Sequence, residues 1–382
     1  MEFDLTPEQE EFRSAVREFA SGVVAPVAAG YDEREEFPLD VVRRMGEMGL
    51  FGIPFPEAYG GQGADLQTLC LAIEELACAD SSVAITLEAA VGLGAGPIAR
   101  FGTEEQKREW LPRMCRGEIL GSFALTEPGG GSDASAVKTT ARLEDGEWVI
   151  DGTKAFITNS GTPISGVCTV AARTGEHEIS AILVPNGTPR FTVGPSYRKL
   201  GWHASDTHEL SFAECHVPEE NLLGERGRGY AQFLEILDEG RVAIAALSVG
   251  LAQACLDASV SYAKERSAFG REIGSYEAVQ FKVADMKVAV ENARLATRRA
   301  AWLRDAGRPF KAEAAIAKLS ASEAAVVAAR DAVQIHGGYG FMEELPVARF
   351  YRDAKILEIG EGTSEIQRLV IARELGLPAW EW

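Results

Sequence analysis

The feature that most limits the folds open to this sequence is a region of short apolar runs between two regions of helical periodicity. Between about 119 and 223, apolar residues occur in short runs separated by Gly, Pro, Asn and Asp, as in strands joined by turns. Before this region, Phe12, Val16 and Phe19 recur at helical spacing. After about Tyr230 the chain is rich in Ala, Glu, Arg and Leu, and its apolar stripes are typical of a helix bundle.

This order predicts a mainly α protein with a central β domain, which we expect to be a barrel or a sandwich. The 382 residues are enough for two or three domains. We place a helical domain at 1–118, the β domain at 119–228 and a second helical domain at 229–382.

Local signals define individual elements. Thr6 with Gln9, and Thr103 with Gln106, are spaced as capping boxes at helix N-termini. Other expected helices are one across 41–48, three or four between 230 and 332, one near Val347 and one from Ser364. Expected strands are 147–150, 166–172, 179–184 and 209–212, with turns at Asp145-Gly146 and Asp151-Gly152.

The composition limits the ligands and the location. The net charge of −19 repels nucleic-acid phosphates and anionic membranes, so an anionic ligand must be met by local amides or arginines. We find no run of about 18 apolar residues and no basic, apolar signal at the N-terminus, so we expect a cytoplasmic protein. The six cysteines form no CxxC pair, and we interpret them as core residues or free thiols.

Two motifs of the β region could contact a ligand. In TEPGGGSD, 126–133, three consecutive glycines leave backbone amides open to an anion, although a flexible turn is the simpler interpretation. It is not a P-loop, because no Gly-Lys-Ser/Thr follows. In KAFITN, 154–159, an aromatic beside β-branched residues could wall a flat ring, but strand core explains it equally.

Three motifs lie in the second helical region. We interpret DEGR, 238–241, as opening a long helix, where a cation opposes the helix dipole. It indicates either an anionic ligand or a local ion pair between Arg241 and Asp238. RSAFG, 266–270, and QIHGGYG, 334–340, are interpreted as helix C-termini closed by glycine.

The motif EIGEGTSEIQ, 358–367, places a carboxylate beside a helix N-terminus. Ser364 and Gln367 are spaced as a capping box, so Glu361 precedes the helix between two glycines that leave room for a ligand. The helix dipole favours an ionised carboxylate, and an apolar substrate would raise its pKa. This combination suits a general base; an exposed cap residue is the alternative.

Two further patterns do not predict sites. GLGAGP, 92–97, resembles a dinucleotide fingerprint but has proline in place of the last glycine, in a region that we interpret as helical. His203, Asp206 and His208 have no further ligand pair nearby, so no metal is expected.

The order and spacing of these motifs resemble the acyl-CoA dehydrogenase family over nearly the whole chain. The matching segments are ALTEPGGGSD, KAFITNS, LDEGR, RSAFG, QIHGGYG and YRDAKILEIGEGTSEIQR, and GWHASDTHELSF is similar to bacterial members. The resemblance implies an N-terminal helical domain, a middle β-barrel and a C-terminal four-helix bundle. It also implies FAD between the last two domains, a homotetramer, an acyl-CoA substrate and an electron transfer flavoprotein as electron acceptor.

The resemblance also implies a set of site residues. Those expected to line the FAD of the same chain are Phe123, Leu125, Thr126, Gly131, Ser132, Phe156, Ile157, Thr158, Thr363, Ser364 and Glu365. Those expected to reach the FAD of the neighbouring subunit are Arg266, Phe269, Gln334, Ile335, Gly337 and Gly338. Those expected to contact acyl-CoA are Ser132, Asp238, Arg241 and Gly362.

Glu361 matches the family's catalytic base, which takes the α-proton of the thioester while the β-hydrogen leaves as hydride to the flavin, giving a trans-2-enoyl-CoA. A subset of the family carries its base on a bundle helix instead, at the position of Gly240 in this chain, so the sequence supports Glu361. Two residues depart from the pattern. Glu277 replaces a glutamine near the FAD adenosine, so that contact is not assigned, and Gly360 replaces a tyrosine, which predicts a wider pocket.

The segment LDEGR is similar to its counterpart in short-chain enzymes, so we expect short or branched-short acyl chains. No arginine lies between Thr86 and Gly96 to pair with a second carboxylate, which disfavours a glutaryl-type substrate. An acyl-CoA oxidase or a dehydrogenase of an unusual acyl-CoA is the alternative among flavoenzymes. A nucleic-acid-associated relative is disfavoured by the acidic charge, and a plain helical scaffold would have no flavin affinity.

Overall fold

The computed structural model describes residues 4–378, and its first group of elements is helical. The helices are α1 (Pro7–Phe19), α2 (Ala25–Arg34), α3 (Leu39–Glu47), α4 (Leu66–Ala79), α5 (Ser81–Glu88), α6 (Gly96–Phe101) and α7 (Glu104–Cys115). Two π-helical segments, Ala20–Val24 and Ala89–Ala95, join α1 to α2 and α5 to α6. The predicted capping boxes at Thr6 and Thr103 are present, which confirms both helix starts.

The second group forms one eight-stranded sheet. Its strands are β1 (Leu120–Ala124), β2 (Thr140–Glu144), β3 (Glu147–Thr158), β4 (Ser165–Gly175), β5 (Glu178–Pro185), β6 (Phe191–Ser196), β7 (Thr207–Pro218) and β8 (Leu222–Leu223). Their order is β6-β7-β3-β2-β4-β5-β8, and β1 pairs in parallel with β4. The predicted strands fall within β3, β4, β5 and β7, which confirms the central β domain.

The third group is a helix bundle. It comprises α8 (Gly229–Glu265), a hairpin of β9 (Ser267–Ala268) and β10 (Arg271–Glu272), and the helices α9 (Glu277–Asp305), α10 (Lys311–His336), α11 (Pro346–Ala354) and α12 (Ser364–Glu374). Helix α10 packs against α8, α9 and α12. Its buried face is mainly alanine, and small side chains let the neighbouring helices approach closely.

A shared core joins the three groups. Helix α4 packs along α8, and one large apolar cluster contains residues of all three groups. A smaller apolar cluster lies within the sheet. Two helical stretches, 81–101 and Gly229–Glu265, are long and apolar enough to cross a membrane, but 78% and 83% of their most apolar windows are buried inside the protein, as in core helices. The six cysteines are free, as predicted.

Two predictions about turns and helix ends are wrong. Asp151-Gly152 lies inside β3, because the pairing with β7 absorbs the glycine as a register shift between Ile150 and Gly152. The segment RSAFG does not close α8 with a glycine cap. Instead, Phe269 and Gly270 both have positive φ and form the two-residue turn of the β9–β10 hairpin.

The predicted position of DEGR is also wrong. Helix α8 begins at Gly229, so Arg241 lies inside the helix rather than at its start. The helical region was expected from about Tyr230, which is correct, but α8 continues without a break through DEGR to Glu265. Since Arg241 is far from the N-terminus, its charge does not oppose the helix dipole.

Candidate active site

Glu361 lies on a short loop between a 3-10 turn, Lys355–Glu358, and α12. Its φ is 52°, a left-handed conformation that is uncommon for a residue with a side chain. Gly362 follows with a φ of 93°. The carboxylate oxygen Oε2 of Glu361 is shielded from solvent. Because such backbone outliers cluster at functional sites, the loop is a candidate site that presents a carboxyl group to the interior.

Two buried side chains hold this loop in place. Lys318, on α10 and fully buried, donates from Nζ to the carbonyl oxygen of Gly362 at 2.8 Å. Gln367, on α12, donates from Nε2 to the same oxygen at 2.8 Å. The backbone beside Glu361 is therefore fixed from two helices.

The start of α12 differs from the prediction. The capping box of Ser364 with Gln367 is absent, because the Gln367 amide is already bound to Gly362. Thr363 is the N-cap instead, and its hydroxyl accepts a hydrogen bond from the N–H of Ile366 at 3.3 Å. Glu361 still precedes a helix N-terminus, as predicted.

The missing side chain at position 240 makes room for Glu361. A Cβ placed on Gly240 in α8 would lie 2.1 Å from Oε2 of Glu361 and 3.6 Å from Oε1 of Glu88. Any side chain at this position would therefore displace the Glu361 carboxylate. A carboxylate on residue 240 would lie in the same space as the Glu361 carboxylate. The two positions at which the family carries its base, 361 and 240, are therefore adjacent in the structure.

Glu88, at the end of α5, is a second carboxyl group beside this point. It is 0% exposed, and neither oxygen makes a regular hydrogen bond to any described residue. Burial first, and then the negative charge of Glu361, raise the pKa of Glu88 well above its ordinary value. Glu88 was not among the residues expected from the sequence, although it is the single charged residue between Val83 and Ile98.

Burial also raises the pKa of Glu361, while the neighbouring Glu88 carboxyl and the positive charges of Lys318 and Arg241 oppose that rise. Burial lowers the pKa of Lys318 to about 8, although the charge of Glu361 opposes that fall. A carboxylate with a raised pKa can hold a proton that it has abstracted. The geometry therefore suits general-base chemistry.

Arg241 and Asp238 form an ion pair one turn apart on α8. Arg241 is buried, and its Nε has no hydrogen-bond partner among the described residues. Burial raises the pKa of Asp238, while Arg241 lowers it. The local ion pair between Arg241 and Asp238, one of the two interpretations of DEGR, is therefore present. The Nε of Arg241 stays available to donate to a ligand.

A cavity of about 350 Å³ reaches this site. Gly240 and Glu88 line it, together with the apolar side chains of Leu66, Leu69, Val91, Ile236 and Ala243. Its lining also includes Glu239, which pairs with Arg100 and with Arg304, each at 3.0 Å. The cavity therefore connects an apolar chamber beside the Glu361 carboxyl with a partly exposed cluster of ion pairs.

A buried ion pair holds the ends of the TEPGGGSD loop. The Nζ of Lys154, on β3, lies 2.8 Å from Glu127 Oε1 and donates to the carbonyl of Leu125 at 3.2 Å. The Glu127 carboxylate also accepts the N–H groups of Lys138 and Thr139 at 2.8 and 2.9 Å. The loop between these anchors leaves Gly131 and Ser132 exposed, with their backbone accessible to a ligand.

The other residues predicted to line the flavin from the β domain differ in exposure. Phe156 is 64% exposed, and its φ is 61°. Ile157 packs inside the sheet core, so its side chain does not face the surface. The half-buried members are Phe123, Leu125, Thr126 and Thr158.

A second cluster forms where α8 and α10 end. A cavity of about 520 Å³ and another of about 330 Å³ share Ile335 in their linings. They bring together the six residues predicted for a neighbouring subunit's cofactor: Arg266, Ile335, Gly337 and Gly338 in the larger, and Phe269, Gln334 and Ile335 in the smaller. Lys318 and Ile335 both lie on α10, and the helical rise separates them by about 25 Å. This cluster therefore lies far from the Glu361 loop along α10.

The histidines near 203–208 do not converge. His208 pairs with Asp206 at 2.7 Å, and His203 lies 3.3 Å from Asp32. Within residues 4–378, no group of three or more His, Cys, Asp or Glu side chains could hold a metal.

Family models match the chain in three consecutive parts. The acyl-CoA dehydrogenase N-terminal domain matches 6–118, the middle domain 122–215 and the C-terminal domain 227–376. The chain belongs to the acyl-CoA dehydrogenase family. A probable acyl-CoA dehydrogenase of Bacillus subtilis (strain 168), YngJ, is 50% identical over 378 residues, which is 98% of this chain and 100% of the relative.

Two solved structures are similar to this acyl-CoA dehydrogenase over its length. Butyryl-CoA dehydrogenase from Megasphaera elsdenii matches with a TM-score of 0.95 and 42% identity, covering 98% of this chain and 100% of that one. A chain described with the electron transferring flavoprotein of Acidaminococcus fermentans matches with a TM-score of 0.96 and 43% identity, covering 98% and 99%. The predicted family and fold class are confirmed.

Two residues of the site escaped the sequence analysis, but each left a signal. Lys318 lies among the alanines of α10, four residues after Ala314 and three before Ala321, both buried. Helical periodicity therefore places it on the buried face. Glu88 interrupts an apolar run. Charged side chains are rarely buried unless they are paired. A charged residue at an apolar position of a helix was therefore the signal that could have identified both Lys318 and Glu88.

Proposed function

We propose that the protein dehydrogenates short or branched-short acyl-CoA to trans-2-enoyl-CoA with FAD, and that Glu361 is the base. The observation that carries this proposal is the inward carboxylate of Glu361, at a point that only a glycine at 240 leaves free. Membership of the acyl-CoA dehydrogenase family supports the reaction class.

Glu361 takes the α-proton of the thioester. Burial raises its pKa, so the carboxyl can keep the proton that it has taken. Lys318 and Gln367 fix the Gly362 carbonyl and so hold the base at a constant position. The remaining proposed contacts to acyl-CoA are Ser132, Asp238, Arg241 and Gly362, of which Arg241 offers an unpaired Nε.

The residues present fit FAD. The exposed Gly131 and Ser132 offer a hydroxyl and open backbone to an anion, and the exposed ring of Phe156 offers a wall to a flat ring. Nothing lies within 4 Å of a Cβ built on Gly337 or Gly338, so the second cluster is also open to close approach. FAD would supply the acceptor for the β-hydrogen as hydride.

We further propose a homotetramer in which the second cluster serves the cofactor of a neighbouring subunit. The separation of about 25 Å along α10 supports this division between two cofactors. Phe281, Val288 and Leu295 are exposed at intervals of seven on α9, and such a stripe is typical of a protein interface. The similar chain described with an electron transferring flavoprotein supports a protein of that kind as the electron acceptor. A cytoplasmic location stays a prediction.

The short-chain preference is supported by the similarity to butyryl-CoA dehydrogenase. Gly360 is half-buried beside the base, and a tyrosine there would reduce the space near Glu361. Replacing Gly360 with tyrosine should therefore shift the chain-length profile to shorter acyl groups. An unchanged profile would contradict the role of Gly360.

Anaerobic titration of the purified protein with a panel of acyl-CoAs, followed by flavin absorbance, tests the proposal. Short-chain acyl-CoA should bleach the flavin, and Glu361→Gln should lose the bleaching. Glu358→Gln, which removes the same charge three residues earlier, is the matched control and should bleach normally. A yellow protein that no acyl-CoA bleaches would contradict the substrate class, and rapid peroxide release in air would favour the oxidase alternative.

A further inference from the structure

The chamber beside the base contains two carboxyl groups. Glu88 approaches from the end of α5, Glu361 from the loop before α12, and Gly240 of α8 lies between them without a side chain. Glu88 is fully buried, and both of its oxygens lack a regular hydrogen bond to any described residue. The inner oxygen of Glu361 also lacks one.

Glu361 Oε2 and Glu88 Oε1 lie 2.1 and 3.6 Å from the same point, a Cβ built on Gly240, which is too close for both buried carboxyls to be ionised. Burial opposes each charge, and each charge opposes the other. The cations that face Glu361 are Lys318 on α10 and Arg241 on α8, but each already has a partner, the Gly362 carbonyl and Asp238. The nearest cations along the cavity, Arg100 and Arg304, are already paired with the carboxylates of Glu235, Glu239 and Asp305. A proton is therefore the remaining way to neutralise one carboxyl.

We propose that Glu88 is a positioning residue for the base: it holds the one proton that the two carboxyls share, and so keeps Glu361 ionised and oriented. Glu361 faces Lys318 and Arg241, so it is the better site for the negative charge. Glu88 has apolar neighbours such as Val91 and Ala243 around its cavity, so it is the better site for the proton. The kinetic part of this inference rests on the proposed function, and the structural part does not.

The directions of the two pKa shifts agree with this division. The pKa of Glu88 lies well above its ordinary value of 4.5, because burial and the charge of Glu361 both raise it. The pKa of Glu361 is raised by burial but lowered by the Glu88 carboxyl, Lys318 and Arg241. Pairs of carboxyls whose environments separate their pKa values typically divide into an acid and a base.

The structural part predicts a pH-dependent stability that does not require activity. When a carboxyl has a higher pKa in the folded protein than in the unfolded chain, the fold loses stability as the pH rises from the lower pKa to the higher one. The reason is that the unfolded chain releases the proton first. Glu88→Gln removes this effect. The apparent Tm of the variant should therefore rise relative to the unsubstituted protein by about 2 °C or more between pH 5 and pH 8.

Glu361→Gln provides the coupling control. It removes one of the charges that raise the pKa of Glu88 but leaves its burial unchanged, so the pH-dependent gain from Glu88→Gln should be measurably smaller in the Glu361→Gln background. A gain that does not change with pH would overturn the proposal. A gain that is equal in both backgrounds would also overturn it, because the two carboxyls would then be independent.

The kinetic part uses conservative replacement. Glu88→Gln keeps a donor beside Glu361, whereas Glu88→Leu removes it. The acid limb of the pH profile for flavin bleaching should stay near its original position in Glu88→Gln and move up by about one pH unit in Glu88→Leu. Unchanged limbs in both variants would overturn the proposal. If no acyl-CoA bleaches the unsubstituted protein, the proposed function fails, and the stability experiment alone decides the carboxyl pair.

Discussion

The Glu361 site and the second cluster at the end of α10 represent two ways of building a functional surface. At the Glu361 site, the side chains converge from α5, α8, α10 and α12 and are largely buried. At the second cluster, Phe269 is 97% exposed and the glycines at 337 and 338 have open space around them. The carboxyl groups of the first site are enclosed by helices of one chain, whereas the second cluster is open, and we propose that another subunit covers it.

The difference predicts where substitutions affect the fold. In the buried region, removing one member of a pair leaves the other charge or donor unpaired, which is strongly destabilising. In the exposed region, a substitution removes contacts only in the assembled protein. The largest effects on folding are therefore expected at buried charges and the smallest at the second cluster.

Glu127→Gln should destabilise the fold most. It leaves the ammonium of the fully buried Lys154 without its carboxylate partner, and breaking such a pair from one side costs about 3–5 kcal/mol. The free energy of unfolding, measured by denaturant titration, checks this. Glu144→Gln, an exposed residue of the same domain, is the control and should change little.

Lys318→Met should destabilise the fold less than Glu127→Gln, because Gln367 still donates to the Gly362 carbonyl and the variant also removes a buried charge. The Glu361 loop should then move, and flavin bleaching should slow more than cofactor binding weakens. Lys355→Met is the control. Lys355 lies on the turn before the same loop, and its ammonium pairs with Glu358. Normal bleaching in Lys318→Met would show that the loop does not depend on this contact.

The pH dependence of the same variant is a smaller test. Burial lowers the pKa of Lys318 to about 8 from an ordinary value of 10.5, so the folded protein releases this proton more easily than the unfolded chain. The charged lysine therefore opposes folding below pH 8, and this opposition declines between about 8 and 10.5. The stability of the unsubstituted protein relative to Lys318→Met should rise across that range, and a flat difference would contradict the lowered pKa.

Phe269→Ala should have the smallest effect on folding, within about 0.5 kcal/mol, because it removes an exposed side chain. If the second cluster serves a neighbouring subunit, the variant should lose FAD more readily or dissociate to smaller species. Light scattering and flavin retention after gel filtration measure both. A large drop in unfolding free energy with the cofactor retained would contradict this account, because Phe269 would then stabilise the fold rather than the assembled protein.

The sequence predicted the helix–strand–helix order, the two capping boxes and the place of Glu361 before a helix, because these depend on local patterns. It placed the start of the helical region near Tyr230, which agrees with α8, but it wrongly interpreted DEGR as opening a helix, although α8 continues through this segment to Glu265. It could not pair Glu88 with Glu361, which are 273 residues apart in the chain and meet only through Gly240. Similarly, the exchange of Ser364 for Thr363 as the N-cap depends on Lys318 and Gln367 meeting at one carbonyl.

Backbone conformation added information that residue identity did not contain. Phe156, Phe269 and Glu361 are three of the nine non-glycine residues with positive φ between residues 4 and 378. Each belongs to the set that the resemblance assigned to the cofactor or to catalysis. With these left-handed conformations, the rings of Phe156 and Phe269 point outward on two different surfaces, and the Glu361 carboxyl points inward.

The central claim, that Glu361 removes the α-proton, is tested most directly by hydrogen exchange. An acyl-CoA with sulfur in place of its β-carbon cannot release a β-hydride, so exchange of its α-hydrogens in deuterated buffer reports proton removal alone. Mass spectrometry should show rapid α-deuteration with the unsubstituted protein and with Glu358→Gln, and a loss of about 100-fold or more with Glu361→Gln. Equal exchange in Glu361→Gln and the unsubstituted protein would contradict the assignment of the base.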